Sequence, residues 1–155
     1  MQKLKLQFKI QKLLIVIVLI FLATPVLAAE ISFDAKTSEI AVGQQFQAGI
    51  ILNTGGEEIN AVEGKIIFPS ELLKLKEIRD ANSIVNFWID KPKLESDGQI
   101  AFSGITPGGY RGSQGLLLTL IFVSKKEGGG VIELQNAKTL LNDGNGTEAA
   151  LSITP

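Results

Sequence analysis

The sequence predicts an all-β sandwich, and three observations predict it. Apolar residues recur at a period of two through many short runs, 16 glycines separate those runs, and beyond residue 28 no segment keeps helical spacing for more than about one turn. Aromatic residues at 6%, set against that glycine content, suit many turns joining short strands rather than long helices. The run that organises the rest is Ile59 to Phe68, entered through the reversal Asn53-Thr54-Gly55-Gly56 and closed by Pro69-Ser70. In it Val62, Ile66 and Phe68 point to one side while Ala61, Glu63, Lys65 and Ile67 point to the other. One side therefore belongs to a core and the other meets solvent or a partner.

The remaining elements follow in chain order. Ile31, Phe33 and Ala35 alternate with Ser32, Asp34 and Lys36, which makes Ile31 to Lys36 a short first strand. A turn at Val42-Gly43 leads into Gln45 to Leu52, with Phe46, Ala48, Ile50 and Leu52 on one side. After Pro69, the alternation of Leu73, Leu75 and Glu77 with Lys74, Lys76 and Ile78 favours a strand reaching Arg79, leaving room for a single helical turn at Ser70 to Leu73. Asp80 to Ser83 is a loop. Val85 to Asp90 reads as a strand with Val85, Phe87 and Ile89 on one side and Asn86, Trp88 and Asp90 on the other, ended by Lys91-Pro92. Ser96-Asp97-Gly98 is a hairpin turn into Gln99 to Ile105, with Ile100 and Phe102 inward. A glycine-dense loop from Pro107 to Gly115 precedes Leu116 to Val123, whose apolar residues on both sides suit a central strand covered twice. Lys125 to Gly130 is a solvated turn; Val131 to Leu134, Ala137 to Leu141 and Ala149 to Ile153 are the last strands, with a turn at Asn142 to Gly146. The total is about nine or ten strands with turn signals between them.

At 155 residues the chain suits one domain with a substantial core. It contains neither cysteine nor histidine, which removes disulfides, thiol nucleophiles and thiolate metal sites, the usual neutral-pH acid–base group and the commonest metal ligand. Much catalytic chemistry is thereby excluded, and neither a catalytic residue, a metal ligand nor a cofactor is expected. The formal charge of −1 includes Lys3, Lys5, Lys9 and Lys12; without those four, 11 basic residues face 16 acidic ones, a balance of −5. Such a domain has no electrostatic footprint for nucleic acid.

Those four lysines belong to a processing signal. Met1 to Lys12 is basic without an acid, Leu13 to Ala23 is apolar, and Val26-Leu27-Ala28-Ala29 places small residues where signal peptidase cuts after Ala28. The apolar stretch is shorter than the roughly 20 residues that span a bilayer. Residues 1–28 are thus expected to form a signal helix, leaving residues 29–155 as one secreted or cell-surface β-sandwich domain. The plainer alternative is an uncleaved anchor, through which alone the protein would meet a membrane.

Read together, Gly43 with Phe46, Asn53-Thr54-Gly55-Gly56, Asn60-Ala61-Val62, Phe68-Pro69, Asn86-Phe87-Trp88, Phe102-Ser103-Gly104, Gly115 to Phe122 and Asn142-Asp143-Gly144-Asn145-Gly146-Thr147 resemble the cohesin domain family, over Ile31 to Ile153. The resemblance implies a nine-stranded jelly-roll β-sandwich of immunoglobulin-like or cohesin type, related in fold to carbohydrate-binding modules. It also implies a non-catalytic module that docks a dockerin, a small calcium-loaded helical module, through one flat sheet face. By position that face would take in Ala61, Glu63 and Lys65 on the organising strand, Asn86 and Trp88 on the next rich strand, and a rim of Ser103, Tyr110 and Arg111.

Each of these residues also has a plain structural role open to it. Trp88 on a sheet face is a protein or sugar anchor, or it packs. Tyr110 and Arg111 form a rim contact or a solvated loop tip. Asp143-Gly144-Asn145-Gly146-Thr147 has oxygen groups at alternate positions but lacks the further acids and closing glutamate of a calcium loop, which favours a turn; Asn145-Gly146-Thr147 also fits the glycosylation triplet. Asp90, Glu95 and Asp97 flank a turn, where acids are ordinary, so they are not read as a glycosidase pair. Two further functions compete with docking: a carbohydrate-binding module in extracellular polysaccharide processing, stacking sugars on Trp88 and Tyr110, and a structural spacer of a surface protein.

Overall fold

The computed structural model describes residues 28–35 and 39–154. Residues 1–27 of the expected signal segment, and Lys36 of the first strand, lie outside the described residues. Among the described residues nine strands form two sheets: β1 (Ala29–Ala35), β2 (Gln45–Asn53), β3 (Ile59–Ile67), β4 (Leu73–Arg79), β5 (Phe87–Ser96), β6 (Gln99–Tyr110), β7 (Gly115–Ser124), β8 (Glu133–Leu141) and β9 (Leu151–Thr154). One sheet has the order β4-β7-β2-β1-β9 and the other β5-β6-β3-β8. All pairings are antiparallel except that of β1 with β9, which brings the two ends of the domain side by side, Ala29 opposite Leu151 and Ile31 opposite Ile153.

The period of two does the sorting. Ile31, Ile50 and Leu52 from one sheet and Val62, Ile66, Ile100 and Phe102 from the other are buried in a common core. Phe122 of β7 is fully buried, with Phe46 stacked on it at 5.5 Å and Phe68 tilted against it at 5.0 Å, so its ring joins the two layers. β7 is central in its sheet, and the unbroken apolar run matches: Leu118, Leu120 and Phe122 face the core, while Ile121 is buried on the outer face between its register partners Gln47 and Glu77.

Local chemistry sets the connections. The single helical turn before β4 is present: Leu72 and Leu73 both donate their N–H to the Pro69 carbonyl, at 3.0 and 2.9 Å. Thr54, fully buried, donates its N–H to the Gly112 carbonyl (2.8 Å) and accepts the Gly112 N–H on its hydroxyl (3.2 Å), which pins the loop after β6 to the β2–β3 turn.

Four expectations need correction. Lys91-Pro92 does not end β5, which runs on to Ser96; β5 is an edge strand with register shifts on both sides of Asp90, so a residue without an N–H is accommodated. Pro107, Gly108 and Gly109 belong to β6 rather than to a loop. Ile105 pairs with Ala61 and Tyr110 with Ile59, so the four residues between them bulge outward, and Gly108 and Gly109 supply the positive φ angles of 85° and 76° that the bulge requires. Residues 133–141 form one strand, not two: Asn136, at φ 50°, is an irregularity inside β8, and Val131 lies outside it. Lastly, Val85 is buried whereas Phe87 and Ile89 are 60% and 62% exposed, so the inward phase of Val85 does not continue along β5, where Trp88 turns inward.

Thr139 faces the core from β8 with its hydroxyl buried and without a hydrogen-bond partner. A buried, unsatisfied hydroxyl is destabilising relative to a methyl of the same shape. Thr139→Val is therefore expected to raise unfolding stability by about 1 kcal/mol in urea titration; a less stable variant would show that the hydroxyl has a partner in solution.

Candidate functional site

The outer face of the four-stranded sheet is built by register. In β3 the residues alternate with the buried Val62, Gly64 and Ile66, so Ala61, Glu63 and Lys65 stand outward. Pairing extends each of them across all four strands. Ala61 aligns with Leu140 of β8 and Ile105 of β6, and Ile105 with Phe87 of β5, which makes an apolar row. Glu63 aligns with Lys138 and Ser103, and Ser103 with Asp90; Lys65 aligns with Gln135 and Ala101, and Ala101 with Lys93. The register shift between Trp88 and Asp90 leaves Ile89 on the surface as well, where it borders a shallow depression with Ala61, Ser103 and Leu140.

Charges surround that depression. Lys65 pairs with Glu95 at 3.2 Å and Lys138 with Glu148 at 3.4 Å, all four side chains substantially exposed, so these pairs contribute little to stability. The opposite outer face differs in character. Ser32, Asp34, Gln47, Thr119, Glu77 and Arg79 stand on it, and Arg79 grips Glu77 through two contacts of 2.8 Å. The hydrogen bond from Arg79 holds the Glu77 carboxyl below the usual carboxylate range. Of the six large exposed hydrophobics among the described residues, three (Phe87, Ile89 and Leu94) lie on β5.

The structure brings Ala61, Glu63, Lys65 and Ser103 together on one face, with Asn86 exposed at its upper edge, where its N–H donates to the Ile105 carbonyl at 3.1 Å. Arg111 lies beyond that edge, 3.7 Å from Glu58. Trp88 and Tyr110 are turned to the inside and pack against the core. Trp88 meets Phe102 edge-on, with ring centroids 6.4 Å apart, and lies over Gly104, where a Cβ would collide with it and with Val85. Sequence reasoning missed Phe87, Ile89, Ile105, Leu140 and Lys138. Alternation alone reads the same in either phase along β5; the signal that decides it is Gly104, a strand glycine opposite a tryptophan.

The loop after β8 forms a turn. Asp143 Oδ1 accepts the Asn145 N–H at 2.8 Å, and the Thr147 hydroxyl followed by that N–H holds the Asp143 carboxyl below its usual range. Among the described residues no three His, Cys, Asp or Glu side chains are placed to hold a metal ion.

No protein-family model and no curated protein matches the chain. Solved structures do match its fold. The sixth cohesin of scaffoldin B from Acetivibrio cellulolyticus, crystallised with a mutant Cel5 dockerin, has a TM-score of 0.66 at 15% identity, covering 82% of this chain and 94% of that one. A cohesin module from a Clostridium perfringens family 33 glycoside hydrolase has a TM-score of 0.64 at 20% identity, over 82% of this chain and 98% of that one. A non-cellulosomal cohesin from Archaeoglobus fulgidus has a TM-score of 0.66 at 16% identity, over 81% and 86% of the two chains. The fold of this domain is the cohesin fold.

The inward placement of Trp88 has a measurable consequence. Trp88→Ala is expected to lower unfolding stability by about 2–3 kcal/mol, as for a large ring removed from a partly buried site. A loss under about 0.5 kcal/mol in urea titration would instead mark Trp88 as a surface group.

Proposed function

We propose that this domain is a non-catalytic docking module, secreted or displayed at the cell surface, that takes a dockerin-type helical partner on the outer face of its four-stranded sheet. The observation that carries the reading is the apolar row of Phe87, Ile105, Ala61 and Leu140, enlarged by Ile89 and bordered by charged side chains on the flat side of a cohesin fold. An apolar centre with a polar rim is the anatomy of a protein-binding surface, and aromatic anchors supply most of the energy of such contacts. Support for a partner of this kind comes from the fold neighbours that were crystallised with dockerins. The sugar-stacking alternative stands on Trp88 and Tyr110, whose rings pack against the core.

Export fits the same reading. Removal of residues 1–28 leaves every strand whole, because β1 starts at Ala29. Cleavage after Ala28 thus accords with the fold and with a partner met outside the cell.

Titration of the full chain with a panel of calcium-loaded dockerins, followed by calorimetry, tests the proposal. Binding is expected, and Phe87→Ala or Ile89→Ala should weaken it about tenfold or more, while Glu77→Gln on the opposite sheet should leave it unchanged. A folded chain that binds none of the panel would contradict the reading.

A further inference from the structure

The chain holds seven asparagines, and six of them lack a hydroxyl two positions on: Gly55, Val62, Ile84, Trp88, Lys138 and Gly144 stand there. Asn145, followed by Gly146 and Thr147, alone completes the Asn-x-Thr triplet of an N-linked glycan acceptor. The structure gives that triplet the place such a reaction needs. Residues 142–148 form an unbroken exposed run between β8 and β9. Gly144 and Gly146 adopt positive φ angles of 73° and 72°, and a Cβ built on either would meet no atom within 4 Å. Asn145 therefore has open space at the residue on each side of it. The base of the loop is tied down instead: Leu141 donates its N–H to the Thr147 carbonyl and Asn142 donates its N–H to the Glu58 carbonyl, each at 2.8 Å. Within the tip, the Asp143 carboxyl accepts the Asn145 N–H at 2.8 Å and also the Thr147 hydroxyl, which draws positions 143, 145 and 147 together.

We propose that Asn145 is the acceptor of an N-linked glycan on the exported chain, with an oligosaccharide carried on a polyprenyl diphosphate as donor; the proposal rests on the export reading above. In the transfer, Nδ2 of Asn145 forms a bond to the anomeric carbon of the first sugar. The bond from that carbon to the diphosphate oxygen breaks, the polyprenyl diphosphate leaves with its electron pair, and one amide proton passes to a basic group of the transferase. An amide nitrogen is a poor nucleophile, because its lone pair is delocalised into the carbonyl. A transferase must therefore enclose the side chain and hold it in its own site, which requires access to the backbone on both flanks. The two glycines supply that access, and the anchored loop base lets the tip be gripped without pulling on β8 or β3.

The test incubates the purified full chain with a bacterial oligosaccharyltransferase and its polyprenyl-diphosphate-linked oligosaccharide, read by intact mass and peptide mapping. The expected result is a mass increase of one oligosaccharide, confined to the peptide that bears Asn145. It should vanish in Asn145→Gln and in Thr147→Val and persist in Thr147→Ser, with thermal melts verifying that all three variants stay folded. An unmodified chain, under conditions where a synthetic peptide of residues 140–150 is modified, would overturn the claim that the folded loop is accessible. Modification that survives Asn145→Gln would overturn the assignment to this residue. Export is read separately, from an N-terminus at Ala29 in the secreted fraction of a bacterial culture. A chain retained inside the cell would overturn the export reading, whatever the transferase does to the purified chain.

Discussion

Two sheets of short strands can shelter an apolar interior only by facing each other, and this single constraint determines what the molecule has left to work with. Phe122, wedged between Phe46 of its own sheet and Phe68 at the end of β3, closes that interior across the layers. Once Val62, Ile66, Ile100 and Phe102 are committed inward, their neighbours must stand outward, because side chains in a strand alternate without exception short of a bulge. The outer face of the four-stranded sheet is thus the by-product of core formation, yet its pattern is not random. It has an apolar row, a row of Lys138, Glu63, Ser103 and Asp90, and a row containing Lys65 and Lys93.

Much of this was legible in the sequence. The alternation from Ile59 to Phe68 places β3 correctly down to which residues face out, because one glycine-marked turn starts it and Pro69 stops it. The doubly apolar run of β7 likewise announces a central strand. What was not legible arises from edges and bulges, where long-range partners decide the geometry. Lys91-Pro92 reads as a stop, but on an edge strand the lost N–H is tolerated. Gly108-Gly109 reads as a loop, but a strand that must bulge past Asn60 uses the same residues. Phase in β5 depends on the match of Trp88 with Gly104, a pairing visible only once β5 and β6 are aligned.

The same edges shape the candidate site. β5 carries Lys91, Pro92 and Lys93, residues that discourage pairing with a further strand, so an edge that exposes Phe87 and Ile89 is guarded against strand addition. The shift beside Asp90 is what exposes the neighbours Ile89 and Asp90 together, an arrangement that regular alternation would prevent for a strand that buries Pro92 and turns Trp88 inward. The docking proposed for this face rests on shape and charge.

Backbone amide chemical shifts recorded while a bound dockerin is added test the central claim most directly. The account predicts that perturbations concentrate on β3, β5, β6 and β8, centred on Ala61, Phe87, Ile89 and Ser103, with β1, β2 and β9 little changed. Perturbations centred instead on the outer face of the five-stranded sheet, around Ser32, Gln47 and Thr119, would contradict it.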